Sequence, residues 1–158
     1  LGRIRSIRDL DAKHHFTLVC RDFSQLGQMV HVDNAVFRAV KAATPGPYTF
    51  ILPATREVPK RLLQEKKKTV GVRIPDHKIS LALVEALGEP LVSSTLILPG
   101  EADAMTTAWE INEALDGRVD AIIDSGDDVL ATPTTVVDLS DGSAKVVRVG
   151  AGDPTPFE

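Results

Sequence analysis

The sequence predicts an α/β domain built on a twisted, mixed sheet with flanking helices, and three observations predict it. Apolar, β-branched runs alternate along the chain with amphipathic runs of helical period. Three strand-like segments late in the chain have little helix between them, which argues against a purely parallel, doubly wound sheet. At 158 residues, with 43% hydrophobic and 25% charged, the chain is sized and composed for a single domain spanning 1–158 with its own core.

An Arg-rich amphipathic run opens the chain at Leu1, which reads as the start of a fragment since no methionine precedes it. FTLVCR (Phe16 to Arg21) is a buried strand, and Asp22 or Ser24 caps a short helix through Met29. Asp33 caps a second helix whose face carries Val36, Phe37 and Val40 and which stops before Pro45. YTFIL is a strand, Val58 to Lys68 a basic helix with Leu62 and Leu63 inward, and VGVRIP another strand. Ile79, Leu83, Ala86 and Leu87 form one helical stripe closed by Gly88, followed by PLVSSTLIL as a strand. Thr106 or Thr107 caps a helix to Gly117. VDAIID, TTVVDL and KVVRV are strands, the last two joined at Asp141-Gly142 by a hairpin turn.

Charge is divided along the chain. Residues 1–75 hold 14 Lys and Arg against 6 Asp and Glu, and residues 76–158 hold 4 against 16. Such asymmetry points to a cleft that gathers positive charge for an anion, phosphate first among them, while charges that merely coat solvated faces are the alternative. No apolar stretch reaches membrane-spanning length and the first residues lack a signal-peptide core, so the expectation is a soluble, cytoplasmic protein without a membrane partner. One cysteine, Cys20, and four histidines without zinc spacing predict no metal site; Cys20 reads as an inert core residue and Trp109 as helix packing. Neither a GxGxxG nor a GxxxxGK[ST] loop is present, so a phosphate site has to be built another way. The candidates are polar residues at strand ends: Arg73, the Ser93-Ser94-Thr95 run, Thr134, Thr135 and Arg148.

PGPYTFIL, VGVRIPDH, LGEPLVSSTLILPG, PTTVVDLSDG and VVRVGAGD, in this order, resemble the YrdC/YciO family over nearly the whole chain. FTLVCRDFSQLG, RLLQEKKKTVG and GDPTPFE resemble its YciO branch most. The resemblance implies a YrdC-like twisted sheet around a positively charged cavity. It also implies a relation to threonylcarbamoyl-AMP synthases, nucleotidyltransferases of tRNA modification that join threonine, bicarbonate and ATP, the ATP with Mg2+, and release pyrophosphate.

Carried over by resemblance, the K-x-R motif falls on Ser6-Ile7-Arg8 and the S-x-N motif on Thr95-Leu96-Ile97, leaving Arg8 and Thr95 as catalytic candidates. Ser6 and Ile97 lack the cation and the amide expected there, and Arg5 and Lys13 are the nearby cations. A PTDT-like threonine-binding block is missing from this sequence. Arg73, His77, Thr95, Thr134, Thr135 and Arg148 match ATP- or phosphate-lining positions; His77 reads equally as a helix cap. Lys60, Arg61, Lys66, Lys67 and Lys68 offer a phosphate-tracking patch for double-stranded RNA or tRNA, or a solubilising helix end. Two functions stay open: a synthase of weak or altered activity, and a non-catalytic RNA-binding module.

Overall fold

Side-chain alternation along the central strands decides which face of the sheet becomes core. In the computed structural model, which describes residues 1–10, 14–127, 129 and 132–158, the elements in chain order are α1 (Gly2–Arg8), β1 (Thr17–Val19), α2 (Phe23–Met29), α3 (Asn34–Ala43), β2 (Tyr48–Pro53), β3 (Thr69–Arg73), α4 (Lys78–Leu87), β4 (Leu91–Ser93), α5 (Ala108–Leu115), β5 (Thr135–Asp138) and β6 (Lys145–Arg148). The chain divides into two compact units, one of residues 1–14 with 94–132 and one of residues 15–93 with 133–158. None of the helices is long and apolar enough to cross a membrane.

The second unit holds a six-stranded sheet in the order β4-β1-β3-β2-β5-β6. Pairs β1/β3 and β2/β5 are parallel; β1/β4, β2/β3 and β5/β6 are antiparallel, so the sheet is mixed as expected. Phe50 faces Val72 and Leu52 faces Val70 across β2 and β3, and all four are at most 2% exposed. Tyr48, Phe50 and Phe157 add an aromatic cluster with ring centroids 5.6–5.8 Å apart.

The predicted caps are where the sequence placed them. Asp22 accepts from Gln25 N at 2.8 Å, Asp33 from Val36 N at 2.8 Å and Thr107 from Glu110 N at 3.4 Å, while Gly88 ends α4 in the left-handed region at φ 79°. Four segments differ from expectation. Val58 to Lys68 is not a helix: only Lys60–Leu62 makes a single 3₁₀ turn, because Leu62 and Leu63 are adjacent instead of spaced along a stripe and three lysines repel one another at its end. VDAIID forms no strand, and PLVSSTLIL is extended only over Leu91–Ser93. On α4 the buried side chain is Val84, whereas Leu83 and Leu87 of the predicted stripe are 40% and 51% exposed.

A buried hydroxyl helps tie the C-terminal loop to the sheet, beside the Tyr48 hydroxyl on Asp153 O and Ala151 N on Pro133 O. Thr135 is fully buried, donates from Oγ1 to Gly152 O at 2.6 Å and accepts from Gly150 N at 2.9 Å. Thr135→Val therefore strands a carbonyl and an N–H, and we expect it to destabilise the protein by about 1–3 kcal/mol in urea unfolding with an unchanged m value.

Candidate oxyanion site

Because Phe50 and Val72 face the core, their neighbours Thr49 and Arg73 project from the opposite face of the sheet. The register extends this set. Gly71 and Thr17 are partners on β3 and β1, and Arg148 on β6 is paired with Val136, whose parity Thr134 shares. One face of the sheet thus carries Thr17, Thr49, Gly71, Arg73, Thr134 and Arg148, with Thr49, Arg73, Thr134 and Arg148 at one end of it.

Arg148 reaches this face through a β-bulge. Val136 pairs with Arg148 and Val137 with Val146, so Val147 is the extra residue and Arg148 no longer shares a face with Val146. Its guanidinium forks onto Thr134: Nε and Nη2 donate to the carbonyl at 3.1 and 2.8 Å, and Nη2 also donates to the hydroxyl at 3.2 Å. Thr134 Oγ1 in turn lies 2.8 Å from Thr49 Oγ1. Nη1 of Arg148 remains available to a ligand.

Arg73 ends β3. Its side chain is half-buried, its Nε is buried without a hydrogen-bond partner among the described residues, and burial lowers its pKa from the usual value. Ion pairs among the described residues are Arg3–Asp120 and Arg21–Asp22. Neither Arg73 nor Arg148 therefore has a carboxylate partner there, unlike the ordinary surface pair. Two guanidinium groups without counter-charge beside two hydroxyls form a donor array suited to an oxyanion with several oxygens.

The other residues chosen from sequence fall into different roles. Thr135 shares β5 with the site but points into the core, where its hydroxyl is committed to the C-terminal loop. His77 is the N-cap of α4: Nδ1 accepts from Ser80 N at 3.2 Å and meets Ser80 Oγ at 3.0 Å, which leaves Nε2 to carry the ring proton and face outward. Lys60, Arg61, Lys66, Lys67 and Lys68 are all exposed, on an irregular segment that turns into β3 with Lys68 at φ 55°.

In the first unit, Arg8 on α1 donates from Nη1 to Ser94 Oγ at 2.6 Å and from Nε to the Ile97 carbonyl at 3.0 Å. His14 Nε2 lies 3.3 Å from the same Ser94 hydroxyl. Arg8 is thus brought to Ser94 and to a backbone oxygen, not to Thr95, which is exposed. Ser6 is exposed on α1, and Lys13 lies outside the described residues. A cavity of about 510 Å³ in this unit is lined by Leu98, Met105, Glu101, Asp103, Glu110 and Glu113 among others; it is acidic and contains none of the residues selected from sequence. No cluster of metal-ligating side chains occurs among the described residues. Thr49 was not singled out as a ligand; Ser94 was, within the Ser93-Ser94-Thr95 run. Period-two alternation in YTFIL, which opposes Thr49 to Tyr48 and Phe50, was the available signal for the first.

Sheet order, flanking helices and strand-end residues define a class. The chain belongs to the Sua5/YciO/YrdC family, described as "Telomere recombination", which matches residues 1–150. It is 52% identical over 157 residues to YciO of Escherichia coli, covering 99% of this chain and 76% of that one. The crystal structure of E. coli YciO superposes with a TM-score of 0.93. The threonylcarbamoyl-AMP synthase of Pyrococcus abyssi is 33% identical over 106 residues, 67% of this chain and 31% of that protein. P. abyssi Sua5 complexed with L-threonine has a TM-score of 0.84 at 27% identity, covering 94% of this chain and 44% of that one. This chain is therefore related to Sua5 threonylcarbamoyl-AMP synthase and most like YciO among these proteins.

Burial and the nearby Asp22 push the Cys20 thiol up to about 12, and the residue is fully buried. A thiol-disulfide reagent at pH 8 is expected to leave Cys20 unmodified in the native protein and to titrate it fully in denaturant.

Proposed function

We propose that this chain binds ATP through the Arg73, Thr134 and Arg148 face, and that any synthase chemistry it performs is weak or altered. The observation that supports this most is Arg73: a half-buried guanidinium with an unpartnered Nε is a destabilising arrangement that an anion offsets. Arg148, forked on Thr134 with Nη1 to spare, supplies a second cation on the same face. The fit is to a polyphosphate, with Mg2+ travelling on the nucleotide.

A synthase has to hold threonine, bicarbonate and ATP together and stabilise charge as it develops. Threonine comes to this chain through its relation to Sua5, bicarbonate through the reaction of that family. The altered motif positions argue for diminished rate: Ser6 supplies no cation, Ile97 supplies only its carbonyl, and that carbonyl is already taken by Arg8. A second reading, contact with RNA or tRNA, is supported by exposed Lys60, Arg61, Lys66, Lys67 and Lys68, which have no carboxylate partner among the described residues. Either role belongs to the cytoplasm.

Arg73→Ala and Arg148→Ala are each expected to weaken ATP binding by about 1.5–3 kcal/mol in calorimetry, the worth of a charge-assisted hydrogen bond. Unchanged affinity in both variants removes the reading. In a pyrophosphate-release assay with threonine, bicarbonate and ATP, Ser6→Lys with Ile97→Asn is expected to raise the rate above either single change, toward the ~10²–10³ that one lost donor costs. A wild-type rate equal to that of a complete-motif enzyme contradicts it.

A further inference from the structure

We infer that Thr49 is a positioning residue that makes Thr134 an obligate hydrogen-bond donor, so that the site selects a ligand atom able to accept and rejects one able only to donate. The inference rests on the anion reading above and adds to it a residue and a rule of selection. A threonine hydroxyl has one proton and two lone pairs. On Thr134, Arg148 Nη2 donates to one lone pair at 3.2 Å. Thr49 Oγ1, 2.8 Å away, belongs to a residue only 8% exposed, and Thr134 Oγ1 is its one hydrogen-bond partner among the described residues.

A buried hydroxyl has to donate somewhere, and this is the acceptor within reach. Thr49 therefore donates to Thr134, both lone pairs of the Thr134 oxygen are filled, and its own proton is left to point away from the pair. Packing keeps Thr49 in this orientation. A Cβ on Gly71 would lie 3.4 Å from the Thr49 methyl and 3.2 Å from Thr17 Oγ1, so the methyl lies over Gly71 and the hydroxyl is turned toward β5. Thr134 can then only donate. An ionised phosphoryl oxygen accepts that proton most strongly, whereas a group that can only donate, such as an amide N–H or an ammonium, presents its hydrogen to an oxygen with no lone pair left.

The test is a calorimetric cycle with ATP on wild-type protein, Thr49→Val, Thr49→Ser, Thr134→Val and the Thr49→Val/Thr134→Val double variant, with Arg148→Ala alongside. Thr49→Val is expected to weaken ATP by about three- to tenfold, and Thr49→Ser to stay within about twofold of wild type. Adding Thr49→Val to Thr134→Val should cost nothing further, because the positioning acts only through Thr134. Equal losses in both backgrounds, or wild-type affinity in Thr49→Val, overturn the inference. If Thr49→Val melts early, Thr49→Ser decides: it keeps the hydroxyl, and a loss of affinity in a stably folded Thr49→Ser contradicts positioning. Arg148→Ala weakening ATP while Thr49→Val does not overturns this inference alone; wild-type protein that binds no ATP overturns the anion reading and this inference with it.

Discussion

Phe50 facing Val72 across β2 and β3 is the contact on which the chemistry of this protein depends. Burying a Phe or Val side chain stabilises by about 1.5–3 kcal/mol, and Phe50, Leu52, Val70, Val72 and Val137 lie together on that face with at most 2% exposure. A slip of one residue in register would turn all of them to the other side, so the register is strongly held. Parity then leaves Thr49, Gly71 and Arg73 no choice but the opposite face. The core tolerates a half-buried arginine at its margin because several apolar burials outweigh the partial loss of one cation's hydration.

From that constraint the site assembles by pairing. Antiparallel β2/β3 brings the start of β2 beside the end of β3, and parallel β2/β5 brings Thr134 to the same end. Antiparallel β5/β6 returns Arg148 to it. Residues far apart in sequence meet because strand ends meet, as in other open sheets whose ligands gather at strand ends. Thr135, one position on, faces the core and fixes the 150–152 loop instead. Adjacent threonines thus do opposite work, and only the pleat separates them.

The elements legible in the sequence were those with local chemistry: carboxylate and threonine caps at Asp22, Asp33 and Thr107, the glycine end of α4, the hairpin at Asp141-Gly142, and the apolar alternation of YTFIL. Arg73, Thr134 and Arg148 were legible as strand-end donors. What escaped was set by tertiary contacts. In KVVRV, strict alternation groups Arg148 with Val146, and only the bulge at Val147 separates them. In VDAIID, adjacent Ile122 and Ile123 mimic a strand, yet Ile123 is 57% exposed. Arg8 and Ser94 were each legible as candidates, but their pairing was not, since the interval of 86 residues between them carries no pattern.

The central claim is that one face of the sheet is an oxyanion site. Its most direct test is an ATP titration of the ¹⁵N-labelled protein followed at the arginine Nε–H and threonine amide resonances. Saturable shifts of the Arg73 Nε–H, the Arg148 Nε–H and the Thr134 amide, at one common dissociation constant, are predicted. Shifts confined to residues of the Lys60–Lys68 segment, with Arg73 and Arg148 unmoved at saturation, would contradict it.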